Sequence, residues 1–380
     1  MNQQGSSIWS SVSTFFKSFV WENKGIKPEV LFQSTIESYF IFNKVYSLPN
    51  GLIIIVGLDH ERENTWIHLF DPVKNALLTK SSINGHFIFI GNFSDGSFLL
   101  APRFGNKGEF LIFNSQTLEY KSALNKPIYL PSSSTKQCVV DDHILYVVHS
   151  KESSQCHIYR SNLEKTKNPE CVSLPIEVGK DAYSFSALTP LANDKYAFSV
   201  NGWNTSYFEV FLLSKNNETN QFELTGVIKP QQIDHDASGS SGLFLILPDD
   251  SILTFHEIGL SFQVWKGVEC IKEWSWRDAK WASSVTDEDT AFWTFEVIPL
   301  DDEHLIINTR RNRLFLFNSR TYEMEIIDMG NFEPWSIVLT PNNQIIISGV
   351  DRSDKQSKLV VLEPADILSK EQERSLQMLK

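Results

Sequence analysis

Residues 47–56 read SLPNGLIIIV: a small turn, Asn50-Gly51, followed at once by a run of β-formers. The same phrase returns six more times. The later turns are Asp95-Gly96, Asp141-Asp142, Asn193-Asp194, Asp249-Asp250, Asp301-Asp302 and Asn342-Asn343. The runs after them are SFLLA, ILYVV, YAFSV, SILTF, LIIN and IIISG. Measured on the second turn residue, the intervals are 45, 46, 52, 56, 52 and 41 residues.

Repeats of this length built only of strands predict an all-β, seven-bladed β-propeller, each repeat one four-stranded blade. Strand a leads into the marker turn and strand b follows it. Strand c often closes with an aromatic and a small polar residue, as in TWIHLFD (65–71), EFLIFN (109–114) and RLFLFNS (313–319). In RLFLFNS both residue sets are apolar, which predicts a strand buried on both faces. Strand d comes last, as in NALLTKS (75–81) and FELTGV (222–227). The third repeat offers the shortest strand a, around residues 137–140. The seventh repeat stops at Pro364 without a strand d, and an orphan strand, EVLFQS (29–34), precedes the first repeat. The expectation is that this orphan completes the last blade and removes two exposed sheet edges. The division expected is an amphipathic extension over 1–28, the propeller over 29–363, and a polar helix or tail over 364–380.

The 380-residue chain exceeds what one ordinary core supports, a limit that stacked blades avoid. Apolar content of 42% and charged content of 21% are those of a globular protein, which excludes wholesale disorder. A net charge of −12, with no basic cluster beyond Arg310-Arg311 and Arg313, argues against nucleic acid as a partner. The four cysteines, Cys138, Cys156, Cys171 and Cys270, form no CxxC pair and fit no common zinc spacing. They read as reduced, mostly buried thiols of a cytoplasmic protein. The N-terminus lacks the pattern of a signal peptide, and no run of 18 apolar residues occurs.

Residues 8–21 place Ile8, Trp9, Val12, Phe15, Phe16, Phe19 and Val20 on one face of a helix. That face could pack on the propeller, on a partner or on a membrane surface. Only Lys17 supplies the positive charge that membrane-surface helices usually carry.

Candidate chemistry belongs to the b–c and interblade loops, which share one face of the ring. The long interblade loops hold Arg277 and Trp281, the pairing of an interaction hot spot, beside the reading that the tryptophans plug a gap between blades. Arg310 and Arg311 suit carboxylates or a phosphorylated residue, or a solvated hairpin tip. With Trp203 and Trp335 these are the expected contact residues. Asp234, His235 and Asp236 are weak metal candidates, since adjacent side chains diverge. No Walker, GxGxxG or GxSxG pattern occurs, no cofactor is expected, and no catalytic residue is assigned.

Gly85-His86 before a strand, the turns PNG (49–51) and SDG (94–96), and the endings Leu69-Phe70-Asp71 and Val264-Trp265-Lys266 resemble the WD40-type seven-bladed propellers. The resemblance covers about residues 29–363. The Trp-Asp dipeptide of that group is absent and Gly-His occurs once, so its His–Asp network does not carry over. The resemblance implies a noncatalytic scaffold that binds proteins or peptides on a ring face. The rival readings are a propeller hydrolase or lyase, metal-dependent or not, with a central-channel site, and a membrane-peripheral adaptor or secreted effector. Against the enzyme, the strand-a segments are mainly apolar. The tail, with Glu371, Glu373 and Leu379, is similar to C-terminal translocation signals of bacterial type IV effectors.

Overall fold

The computed structural model describes residues 29–34, 41–58, 64–102, 109–125, 134–150, 153–161, 169–186, 188–202, 207–230, 242–247, 249–256, 261–275, 294–301, 303–309, 314–321, 324–354, 356–365 and 367–368. These form seven antiparallel sheets, six of them following chain order from a to d. Blade 1 is Ile41–Ser47, Ile53–Leu58, Asn64–Asp71 and Ala76–Asn84. The seventh sheet runs Phe332–Leu339, Ile345–Asp351, Gln356–Leu362 and then Glu29–Ser34. Its last two strands pair antiparallel, from Glu29 opposite Val361 to Ser34 opposite Ser357.

Seven buried clusters fill the spaces between sheets, one for each pair of neighbours around a ring. Ile54, Val56, Ile67 and Leu69 of blade 1 meet Phe98, Leu100 and Phe113 of blade 2. Val45, Ile53 and Phe70 of blade 1 meet Ile346, Leu359 and Val361 of blade 7. Ile53 and Ile54 are consecutive, so their side chains leave opposite faces of the strand and enter different clusters. Ile306 and Ile307 of blade 6 divide in the same way, toward blades 7 and 5. This is why the marker runs are unbroken apolar rather than alternating. Leu314–Asn318, strand c of blade 6, is buried throughout, as its double apolar pattern predicts. Each fully buried Ile, Leu or Phe contributes about 1.5–3 kcal/mol. The outermost strand of blade 1, Ala76–Asn84, alternates half-buried with exposed side chains and keeps one wet face.

The marker turns are hairpins of one design in blades 1, 2, 5 and 7. In blade 1, Leu48 N donates to Leu52 O at 2.9 Å, Gly51 N donates to Leu48 O at 2.9 Å, and Gly51 has φ +83°. This is a type I turn closed by one left-handed residue. Gly96, Asp250 and Asn343 hold the same place at φ +79°, +62° and +62°. Asn50, Asp95 and Asp249 accept from the backbone N–H two residues on, at 3.1, 2.8 and 3.1 Å. Blades 3 and 4 instead use two left-handed residues, Asp141-Asp142 and Asn193-Asp194.

The aromatic–polar ending of strand c has its own cause. Asp71, Asn114, Asn216 and Asn318 each accept two backbone N–H groups of the following c–d turn through Oδ1. The aromatic beside it, such as Phe70 or Phe113, fills an interblade cluster.

Four details differ from the sequence expectation. Strand a of blade 3 spans Ser134–Val140, seven residues rather than a short stub. The irregularity of that blade lies in strand d, split into Glu170–Cys171 and Ile176–Glu177. Pro175 between the halves has no N–H for the ladder. The thiols are not mostly buried: Cys156 is buried and Cys138 half-buried, but Cys171 and Cys270 are exposed. Ile367, just past the last strand, is buried in the cluster between blades 6 and 7, with Leu368 packed against it. The amphipathic segment 8–21 and the tail from 369 onward, with Glu371, Glu373 and Leu379, lie outside the described residues.

Candidate functional site

Strands a of blades 6, 7, 1 and 2 are hydrogen-bonded in succession, which places them on the inner side of the ring. Counting back from the first residue of each marker hairpin, the fourth position before it is Glu296 in blade 6, Ser336 in blade 7 and Lys44 in blade 1. These three meet. The Ser336 hydroxyl donates to Glu296 Oε1 at 2.8 Å, and Ile337 N donates to Glu296 Oε2 at 2.6 Å. Ser336 Oγ in turn accepts from Val45 N at 3.1 Å. The motif is one of translation around the ring: a polar side chain of one blade takes the next residue's N–H in the following blade. Lys44 breaks the series, because its ammonium turns back to Glu296 Oε1 at 3.5 Å. All three strands carry a register shift just before or at these residues.

The belt governs its neighbours. Tyr46 stacks on Phe89 with ring centroids 4.2 Å apart. Burial, and secondarily the Glu296 charge, push its hydroxyl well above the usual tyrosine range. Asn308 faces Glu296 across the ladder and is fully buried. Among the described residues neither atom of its amide finds a hydrogen-bond partner.

Of the expected contact residues, Trp335 is placed. It is half-buried in strand a of blade 7, at the register shift that separates Pro334 from Ser336. Trp203, Arg277, Trp281, Arg310 and Arg311 lie outside the described residues, as do Asp234, His235 and Asp236. The base from which the Trp203 loop springs is described. Gly202 N donates to Tyr207 O at 2.8 Å. Tyr207 Oη donates to Glu209 Oε2 at 2.6 Å and accepts from Gly179 N at 2.7 Å. Lys229 pairs with Glu209 at 2.9 Å. A Cβ on Gly179 would strike the Tyr207 ring, so the close approach requires glycine there. Among the described residues no three His, Cys, Asp or Glu side chains are grouped to hold a metal ion. Among them also, no helix is long and apolar enough to cross a membrane.

At the opposite end of the ring, a cavity of about 330 Å³ opens between blades 4 and 5. Its lining includes Leu191, Lys195, Leu212, Thr225, Asp250 and Val268. Neither this cavity nor the inner belt is anticipated from the sequence. The belt has a signal in it, the polar residue four places before the marker hairpin in FEVIPL, WSIVLT and NKVYSL.

With the ring, its seven interfaces and its inner belt established, similarity to solved structures settles the architecture. YCF48 from Cyanidioschyzon merolae matches with a TM-score of 0.58 at 11% identity, over 88% of this chain and 98% of that one. The β-propeller domain of Cps50 (Swd1) from Myceliophteria thermophila matches with a TM-score of 0.56 at 9% identity, over 86% and 99%. U3-55K matches with a TM-score of 0.55 at 10% identity, over 88% and 100%. The fold is a seven-bladed β-propeller. No family model and no curated protein matches the sequence. The bonds between blades 6, 7 and 1 of this propeller are built on Glu296 and Ser336.

Proposed function

We propose that this propeller is a noncatalytic scaffold that takes a protein or peptide partner on the loop face of the ring. One observation carries the reading. The charged groups of the inner belt are engaged in holding blades together: Glu296 of blade 6 is bound by Ser336 and Ile337 of blade 7 and by Lys44 of blade 1. A catalytic funnel needs such groups turned toward a substrate. The contact residues are Trp335 with Trp203, Arg277, Trp281, Arg310 and Arg311, an aromatic–arginine set typical of interface hot spots. A cytoplasmic location belongs to the same proposal, supported by four unpaired cysteines.

The test is affinity capture from a lysate with the intact chain and with the Arg277→Ala, Trp281→Ala double variant. Loss of the captured partner at an unchanged melting temperature supports the reading. Capture that survives the double variant removes this face as the binding site.

A further inference from the structure

The groove between blades 4 and 5 lies at the end of the ring away from the loops that carry Trp203 and Arg310. Two local irregularities make it. Strand d of blade 4 carries a bulge, since Gly226 pairs with Leu212 while Leu224 pairs with Leu213, leaving Thr225 between. The c–d turn of blade 5 has only Gly267 and Val268, with Gly267 at φ +62°. Blade 4 uses four residues at the same place, Asn217–Asn220. Val268 lies against Gly226, where a Cβ would collide with it, so its side chain forms one wall of the groove. Leu191, Leu212 and Ile252 supply further apolar lining.

Four observations define an occupant. The groove holds about 330 Å³, the low end of small-ligand sites and room for one or two bulky side chains. Val268 is exposed at 55%, so the apolar lining runs out to solvent beside the outermost strand of blade 4, whose Leu224, opposite Leu213, lies on the face toward blade 3. That strand edge already accepts added backbone from this chain: Phe222 N donates to Val172 O at 2.6 Å, and Ser173 forms a parallel bridge with Phe222. Leu224 lies two residues further along, so its backbone groups point to the same side. At the mouth stand Lys195 and Asp250, both exposed, one of each sign, and among the described residues neither has an ion-pair partner.

We infer that this groove docks an extended peptide of a partner protein. The peptide lies along strand d of blade 4 at Leu224–Gly226 and places one bulky apolar side chain between Leu212, Ile252 and Val268. An acidic residue on one flank meets Lys195 and a basic residue on the other meets Asp250. Backbone pairing supplies the register and the pocket the selectivity, as in other cases of strand addition. The site is separate from the loop-face scaffold reading and stands or falls without it.

The experiment pans a random octapeptide display library against the immobilised full chain, then measures fluorescein-labelled winners by anisotropy. Enriched peptides are expected to carry one bulky apolar residue with an acid and a base on its two flanks. Binding is expected to fall at least tenfold in Thr225→Arg and in Val268→Asp, each with an unchanged melting temperature. The Lys195→Glu, Asp250→Lys double variant is expected to prefer peptides with the two charges exchanged. The Arg277→Ala, Trp281→Ala variant is expected to bind like wild type, which separates this groove from the loop face. Winners that bind both groove variants within twofold of wild type overturn the inference. A concentration-dependent dimer abolished by Val268→Asp overturns it as well, because the occupant is then a second copy.

Discussion

Val45 N and Ser336 Oγ, 291 residues apart in sequence, are joined by a hydrogen bond of 3.1 Å between the first and last blades of the ring. Ser336 is fully buried and spends its own proton on Glu296 of blade 6. One hydroxyl therefore links three consecutive blades at the seam between the last blade and the first. Ser336→Ala removes an acceptor and a donor at once and leaves Val45 N unpaired in a dry interface. The expected loss is about 1–3 kcal/mol in urea unfolding. Combined with Glu296→Gln, the losses are expected to fall short of their sum by at least about 0.5 kcal/mol, since both act on one network. Strict additivity would mean that the belt is not a unit.

Asn308 poses the opposite case. Its amide is fully buried beside the belt, with neither atom bonded among the described residues. A buried polar group without a partner costs about 1–3 kcal/mol. Asn308→Leu keeps the approximate volume and removes the cost, so urea unfolding is expected to show equal or higher stability. A loss above about 1 kcal/mol would show that the amide is satisfied, for instance by a trapped water.

Two glycines separate steric from conformational demands. A Cβ on Gly349 would run into the Glu333 carbonyl and the Phe332 ring of the neighbouring strand. Backbone cannot retreat as a flexible side chain can, so Gly349→Ala is expected to cost several kcal/mol, about 3 or more. Gly51 has φ +83° and open space around its missing Cβ. Gly51→Ala is expected to cost only the left-handed strain, about 1–2 kcal/mol. Thermal midpoints of the two variants check the order, and equal shifts would refute it.

Much of the ring was legible because its signals are local. Turn residues at Asn50-Gly51 or Asp95-Gly96 demand left-handed backbone, and apolar runs such as LIIIV reflect a strand with a neighbour on each face. The strand limits of blade 3 were less so, because Pro175 interrupts a strand whose flanks still pair. The belt escaped notice for a different reason. Lys44, Glu296 and Ser336 are separated by up to 292 positions and share no residue type, so only alignment of the repeats on their turns brings them together. The groove was invisible, since it arises from what a short turn and a bulge fail to fill. Of the expected contact residues, only Trp335 falls on a described strand.

Acid should loosen two hairpins before the rest. Hydrogen bonds from Ser97, then Lys121, hold the Asp95 carboxyl down at about 2. Lys358, then Ser353, does the same for Asp351, with Lys358 Nζ at 2.6 Å from Asp351 Oδ2 and 2.7 Å from Asp354 Oδ2. A carboxyl lowered by folding stabilises the native state above its ordinary value, and that contribution disappears as pH falls toward the lowered one. Urea midpoints are therefore expected to be level from pH 7 to 5 as far as these groups act, and to drop between about 4 and 2. Asp351→Asn should flatten part of that drop, and an unchanged slope would remove Asp351 from the account.

The seventh blade gives the sharpest test of how the ring is sealed. Its outermost strand, Glu29–Ser34, pairs with Gln356–Leu362, the last strand among the described residues. A chain beginning at Thr35 lacks that strand and leaves the outer edge of the Gln356–Leu362 strand unpaired. Unpaired edges recruit other chains, so this protein is expected to melt at a lower temperature and to associate as its concentration rises. A chain beginning at Lys27 keeps the strand and is expected to melt like the full protein. The comparison isolates residues 27–34 from everything before them. The Val45–Ser336 bond and the apolar cluster between blades 1 and 7 remain in both chains, so the shorter one should still fold. Identical melting and identical sedimentation of the two would mean that the strand contributes nothing to closure and that the inner contacts alone hold blade 7 to blade 1.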